Sequence, residues 1–126
     1  MTLNERIAPL LYLLAGLLGF AGVALAAAAA HGGGDAHLVA SASAMCLAHA
    51  PALLALAIGA EKLRTAWLAG TLIGIGTLLF AGDLVVLRYA GSGLFPMAAP
   101  TGGFAMMFGW LAVAVGAFVR PRRSLT

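Results

Sequence analysis

The stretch AWLAGTLIGIGTLLFAGDLVVL, residues 66–87, decides the class of this protein. It runs 22 residues with a single charge, Asp83. In a helix rising about 1.5 Å per residue, roughly 20 apolar residues cross a hydrocarbon core about 30 Å thick. Three similar stretches surround it. Residues 7–30 carry no charge over 24 positions, 38–60 carry none over 23 (His49 aside), and 102–119 carry none over 18. Nothing alternates apolar and polar over ten-residue segments, as a lipid-facing barrel would. Backbone groups in lipid must be bonded internally, so each stretch predicts a helix.

Composition agrees. Of 126 residues, 63% are hydrophobic and 9% charged. A soluble domain carries about 25% charged residues. Seven Lys/Arg and four Asp/Glu cannot clothe a soluble surface of this size, which excludes a soluble globule and a disordered tail. A lone cysteine, Cys46, excludes an internal disulfide and a cysteine-cluster zinc site. The formal charge of +3 does not point to nucleic acid, because the Lys/Arg lie at the ends of apolar runs and not in one patch.

The connections, residues 31–37, 61–65 and 88–101, are short. Short links favour antiparallel neighbours. The expected fold is therefore all-α, a single transmembrane domain over residues 1–126 built as an up-down-up-down four-helix bundle. Arg6, Lys62, Arg64, Arg120, Arg122 and Arg123 fall on one side of the membrane and Arg88 on the other. The positive-inside rule then puts both termini in the cytoplasm. Residues 1–30 also have the outline of a secretory signal. Their apolar stretch is longer than a usual h-region and Glu5 offsets Arg6, so a retained first helix is expected.

Small residues let membrane helices approach closely. Gly16, Gly19 and Gly22 recur every three residues, Gly70 and Gly74 have G-x-x-x-G spacing, and Gly109 and Gly116 are seven apart. They read as packing positions within the chain or, alternatively, as an oligomer seam on the first or third helix. Gly74-Ile75-Gly76 is no dinucleotide fingerprint, since position 79 is Leu and no strand precedes it.

Polar groups inside a bilayer are costly and therefore informative. His37, Ser41, Met45 and His49 follow one another at i+4 steps, which places His49 near mid-bilayer. Pro51 removes the N–H that would bond the Leu47 carbonyl, so a kink or a free carbonyl is expected there. Asp83 lies near the outer end of the third helix, with Arg88 beyond it. His31, Asp35 and His37 crowd the first loop on the same face. These residues outline an outer polar cluster above His49. His49 reads either as a neutral imidazole bonded to a neighbouring helix or as a proton-relay group or ligand. Asp83 reads as a cap, an ion-pair partner of Arg88, or part of a relay. The types in His31-x3-Asp35-x-His37 suit a divalent metal, but Gly32-Gly33-Gly34 makes the loop flexible, and no metal site is expected. Residues 91–103 hold two prolines and four glycines, which predicts a turn or lid ended by Thr101 as a helix cap.

Phe80-Ala81-Gly82-Asp83-Leu84, Pro100-Thr101-Gly102-Gly103, Gly109-Trp110-Leu111, His49-Ala50 and Gly34-Asp35-Ala36-His37-Leu38 resemble segments of the YgdD-like small membrane proteins, in the same order along nearly the whole chain. This is a bacterial family of unknown function. The resemblance implies four helices in the inner membrane and no established activity. Where this chain has Asp83, the family often has Ser.

Three functions remain open. The leading one is a non-enzymatic scaffold or accessory subunit without a cofactor, embedded in lipid and packing with itself or a larger membrane complex. The second is a small transporter or proton relay using His49 and Asp83. The third is a haem or quinone module. Haem ligation by His37 and His49 would need two chains, since the two lie twelve residues apart on one helix.

Overall fold

The computed structural model describes residues 1–34 and 36–119. Asp35 and the arginines Arg120, Arg122 and Arg123 lie outside the described residues. Four helices form: α1 (Leu3–His31), α2 (Ala36–Ile58), α3 (Ala66–Ala90) and α4 (Ala98–Gly116). All four are long and apolar enough to cross a membrane.

The helix ends follow from local chemistry. Thr2 and Glu5 form a capping box at α1. The Thr2 hydroxyl accepts from the Glu5 N–H, and the Glu5 carboxylate accepts from the Thr2 N–H. Gly91 closes α3 in the left-handed region (φ 80°), its N–H bonded to the Leu87 carbonyl. α4 begins at Ala98, four residues before the expected start. Pro100 is its third residue, where a backbone N–H has no partner within the helix, so its missing donor costs nothing. Thr101 is therefore not the cap but a residue of the first turn, its N–H bonded to the Met97 carbonyl. Met97, with φ 69°, occupies the cap position. α2 continues through Pro51 to Ile58.

The helices alternate in direction. α1 packs on α2, α2 on α3 and α3 on α4, and α1 also reaches α3. One end gathers the start of α1, the α2–α3 turn and the end of α4. There the Asn4 amide donates to the carbonyls of Ala60 (2.7 Å) and Leu63 (3.0 Å) and accepts from the Trp67 N–H (2.9 Å). At the same end the Thr65 hydroxyl donates to the Ala112 carbonyl at 2.7 Å. The opposite end gathers the α1–α2 and α3–α4 connections.

Close approach is concentrated at glycines. Where α3 crosses α4, a Cβ added at Gly76 would lie 2.7 Å from the Gly102 carbonyl oxygen, and one at Gly102 would lie 2.6 Å from the Gly76 carbonyl oxygen. The two backbones touch, and no side chain fits between them. Two turns further along α4, Gly109 receives Ile73, which is fully buried. On the other side of α3, Gly70 receives Leu11 and Gly74 receives Leu14 of α1. Gly22 of α1 meets Leu47 and Cys46 of α2. Gly19 is in ordinary contact with Ala50, whereas a Cβ at Gly16 would meet nothing within 4 Å. Gly16 is thus not a packing position within this chain. The three-residue spacing advances about 300° per step, so the stripe drifts around the helix. Large apolar side chains, including Leu13, Phe20, Ile75, Phe104 and Phe108, face outward, as lipid requires.

Replacing Gly102 by Leu should lower thermal stability in detergent by about 1–3 kcal/mol or more, because overpacking forces the two backbones apart. Gly16→Leu should stay within about 0.5 kcal/mol of the parent. Equal melting of the two variants would refute this α3–α4 crossing.

Candidate functional site

Two polar side chains from the expected cluster are buried within the spans, and each has a hydrogen-bond partner. His49 on α2 is 6% exposed. Its Nε2 lies 3.1 Å from Nε1 of Trp110 on α4, and its Nδ1 lies 2.8 Å from the Met45 carbonyl oxygen. An indole nitrogen can only donate, and a carbonyl oxygen can only accept. The Trp110 N–H therefore donates to a bare Nε2, and the Nδ1–H donates to Met45. That pair of bonds fixes His49 as a neutral imidazole in one tautomer, with neither nitrogen free for a metal or haem iron. The two rings are tilted by 55°, with centroids 5.8 Å apart.

Asp83 on α3 is 8% exposed. Its Oδ1 accepts the Leu94 backbone N–H at 2.7 Å, which anchors the α3–α4 connection. A side chain at Gly93 would strike this carboxylate, so glycine is needed for the approach. Arg88 does not pair with Asp83. Its guanidinium donates to the Gly33 carbonyl at 2.6 Å, linking α3 to the α1–α2 loop, and sits 5.3 Å from the Tyr89 ring centroid.

His31, His37 and Ser41 are exposed. The i+4 row that suggested them advances about 400° per step, hence about 40° around the axis each time. Over three steps it turns by about 120°, which leaves Ser41 and His37 away from the face that buries His49. Among the described residues, no hydrogen bond joins His49 to Asp83, or His37 to either. Among the described residues there is also no group of three His, Cys, Asp or Glu able to hold a metal ion.

Four polar contacts were missed by sequence reasoning. Ser43 donates to the Gly22 carbonyl at 2.6 Å and ties α2 to α1. Asn4 and Thr65 clamp the opposite end, as described above. Trp110 supplies the partner for His49 from 61 residues away. The available signals were an Asn in the first turn of an apolar helix and a Trp placed well inside another.

Together these features define a small polytopic α-helical membrane protein with an internally bonded polar interior. The chain belongs to the family described as protein of unknown function (DUF423), which matches residues 25–103. That span includes His49 and Asp83 and ends before Trp110. The UPF0382 membrane protein of Haemophilus influenzae is 35% identical over 117 residues, covering 83% of this chain and 90% of that protein. The UPF0382 inner membrane protein YgdD of Escherichia coli K12 is 29% identical over 80 residues, covering 62% of this chain and 61% of that protein. The match thus spans about three fifths of the length of the Escherichia coli relative. No solved structure matches the chain.

A double-mutant cycle of His49→Ala and Trp110→Phe, read by unfolding in detergent, should give a coupling of about 0.6–1.7 kcal/mol, the range of hydrogen bonds between membrane helices. Additive losses would mean that the two rings do not interact.

Proposed function

We propose that this protein is a membrane scaffold or accessory subunit of the inner membrane, acting through its lipid-facing helix surfaces on itself or on a larger complex. The observation that carries this reading is the state of His49. Its Nε2 accepts from Trp110 and so joins α2 to α4, and its Nδ1–H is bonded within α2 to the Met45 carbonyl, so neither nitrogen is open to a third group. Asp83 supports the same reading, since its Oδ1 anchors a turn. The outward faces of α1 and α4, rich in Leu and Phe, supply the surface through which such a subunit would pack.

The same proposal places both termini in the cytoplasm. Its support is the Lys/Arg count, six against one, and the alternation of the helices, which puts Arg6, Lys62 and Arg64 at one end and Arg88 at the other.

The test combines orientation with assembly. A C-terminal alkaline-phosphatase fusion should be inactive and a fluorescent-protein fusion bright. The tagged chain, extracted in mild detergent, should have a native mass above that of one copy. That mass should survive Asp83→Asn, which keeps an acceptor oxygen for Leu94. A strictly monomeric chain whose proteoliposomes conduct protons, with conduction lost in folded Asp83→Asn, would replace the scaffold with a relay.

A further inference from the structure

We propose that the groove between α2 and α4 binds one acyl chain of an anionic phospholipid, whose phosphate pairs with Lys62 and Arg64. Helices α2 and α4 do not pack backbone to backbone; each rests on α3. The His49–Trp110 bond bridges them near mid-span. Beyond that bridge, toward the α2–α3 turn, the space between the two helices stays open. It forms a groove of about 260 Å³ lined by Ala52, Ala55 and Leu56 of α2, by Gly59 just past its end, by Leu63 of the turn, and by Trp110 and Val113 of α4.

Shape selects the occupant. Residues 52 to 59 rise about 10 Å of a leaflet about 15 Å deep, so the groove lies within a single leaflet. Trp110 lies at its inner end, held there by His49. A partner helix, about 10–12 Å wide with its side chains, would run on past the midplane and does not fit a groove of this size. An acyl chain enters from the surface, is narrow, and ends near the midplane. The small side chains at 52, 55 and 59 leave a track for it, and the lining presents no polar side chain other than the indole nitrogen, which His49 already accepts.

Charge selects the headgroup. The Lys62 and Leu63 N–H groups both donate to the Gly59 carbonyl, at 2.9 Å each. The turn is therefore tight, and Lys62 and Arg64 flank the groove-lining Leu63 directly. Both are exposed. Glu61 on the same turn offsets one of the two cations, and at the same end, which Asn4 clamps to this turn, Glu5 of α1 offsets Arg6. The net charge at the mouth of the groove is positive, which favours a phosphatidylglycerol-type headgroup over a zwitterionic one.

Trp110 is 47% exposed and serves as the reporter. In a Trp67→Phe background it is the only tryptophan of the chain. The protein is reconstituted in phosphatidylcholine vesicles containing a minor share of lipid brominated at mid-chain, either phosphatidylglycerol or phosphatidylcholine. Brominated phosphatidylglycerol should quench Trp110 several-fold more than the same share of brominated phosphatidylcholine. Lys62→Gln with Arg64→Gln should bring the two to the same level, and Ala55→Leu, which fills the track, should lower quenching by phosphatidylglycerol. Equal quenching by both lipids in the parent would mean that ordinary surrounding lipid fills the groove, and quenching by neither would mean that another chain covers it; either result overturns the proposal. Native mass spectrometry of the unsubstituted protein provides a check independent of Trp67→Phe. It should retain one phosphatidylglycerol more often than one phosphatidylcholine, and equal retention refutes the site.

Discussion

Gly76 and Gly102 face each other with no side chain between them, and this backbone-to-backbone contact sets the distance between α3 and α4. In water, burying leucines would draw two helices together. Inside a bilayer the lipid tails are as apolar as leucine, so that force is missing. What remains is dispersion at short range, which grows only when many atoms come close at once, together with hydrogen bonds that lipid cannot replace. The glycines supply the first. Gly70 and Gly74 form notches that accept Leu11 and Leu14, Gly109 accepts Ile73, and Gly22 accepts Leu47. α3 has a notch on each side, which is why it touches every other helix.

Hydrogen bonds supply the second. Ser43 ties α2 to α1, His49 meets Trp110 across α2 and α4, Asp83 holds the α3–α4 turn, and Thr65 holds α4 to the start of α3. Asn4 clamps the α2–α3 turn from α1. Each bond crosses between two elements. A polar group in hydrocarbon without a partner costs several kcal/mol, roughly, so a satisfied one resists separation of the helices that satisfy it. The His49 pair is also chemically specific. A donor-only indole and an acceptor-only carbonyl leave one tautomer, and each ring nitrogen has its own hydrogen-bond partner.

The four spans and their alternation were legible in the sequence because their lengths match the bilayer and their connections are short. Gly70, Gly74 and Gly109 were legible for the same reason that they pack, since only small residues permit the contact. Gly16 was not separable from them. In a membrane helix the lipid face and the protein face are both apolar, so periodicity does not say which glycine meets a neighbour. Within the His37–Ser41–His49 row only His49 is buried, because i+4 steps drift around the axis. Gly76 and Gly102 were visible as residues but not as a pair, because their contact depends on the register of two helices. The early start of α4 was hidden by Pro100, which breaks a helix interior but suits a first turn. Trp110 as the partner of His49 is a matter of tertiary placement, and its own surroundings are apolar in sequence.

The central claim is that His49 holds α2 to α4 by accepting the Trp110 N–H. Nitrogen-15 NMR of histidine-labelled protein in a bilayer at neutral pH tests it most directly, with His49→Gln assigning the signal against His31 and His37. The account predicts a neutral His49 with the proton on Nδ1 and a bare, hydrogen-bonded Nε2 whose resonance moves in Trp110→Phe. A His49 protonated on Nε2, or on both nitrogens, or one indifferent to Trp110→Phe, would contradict it.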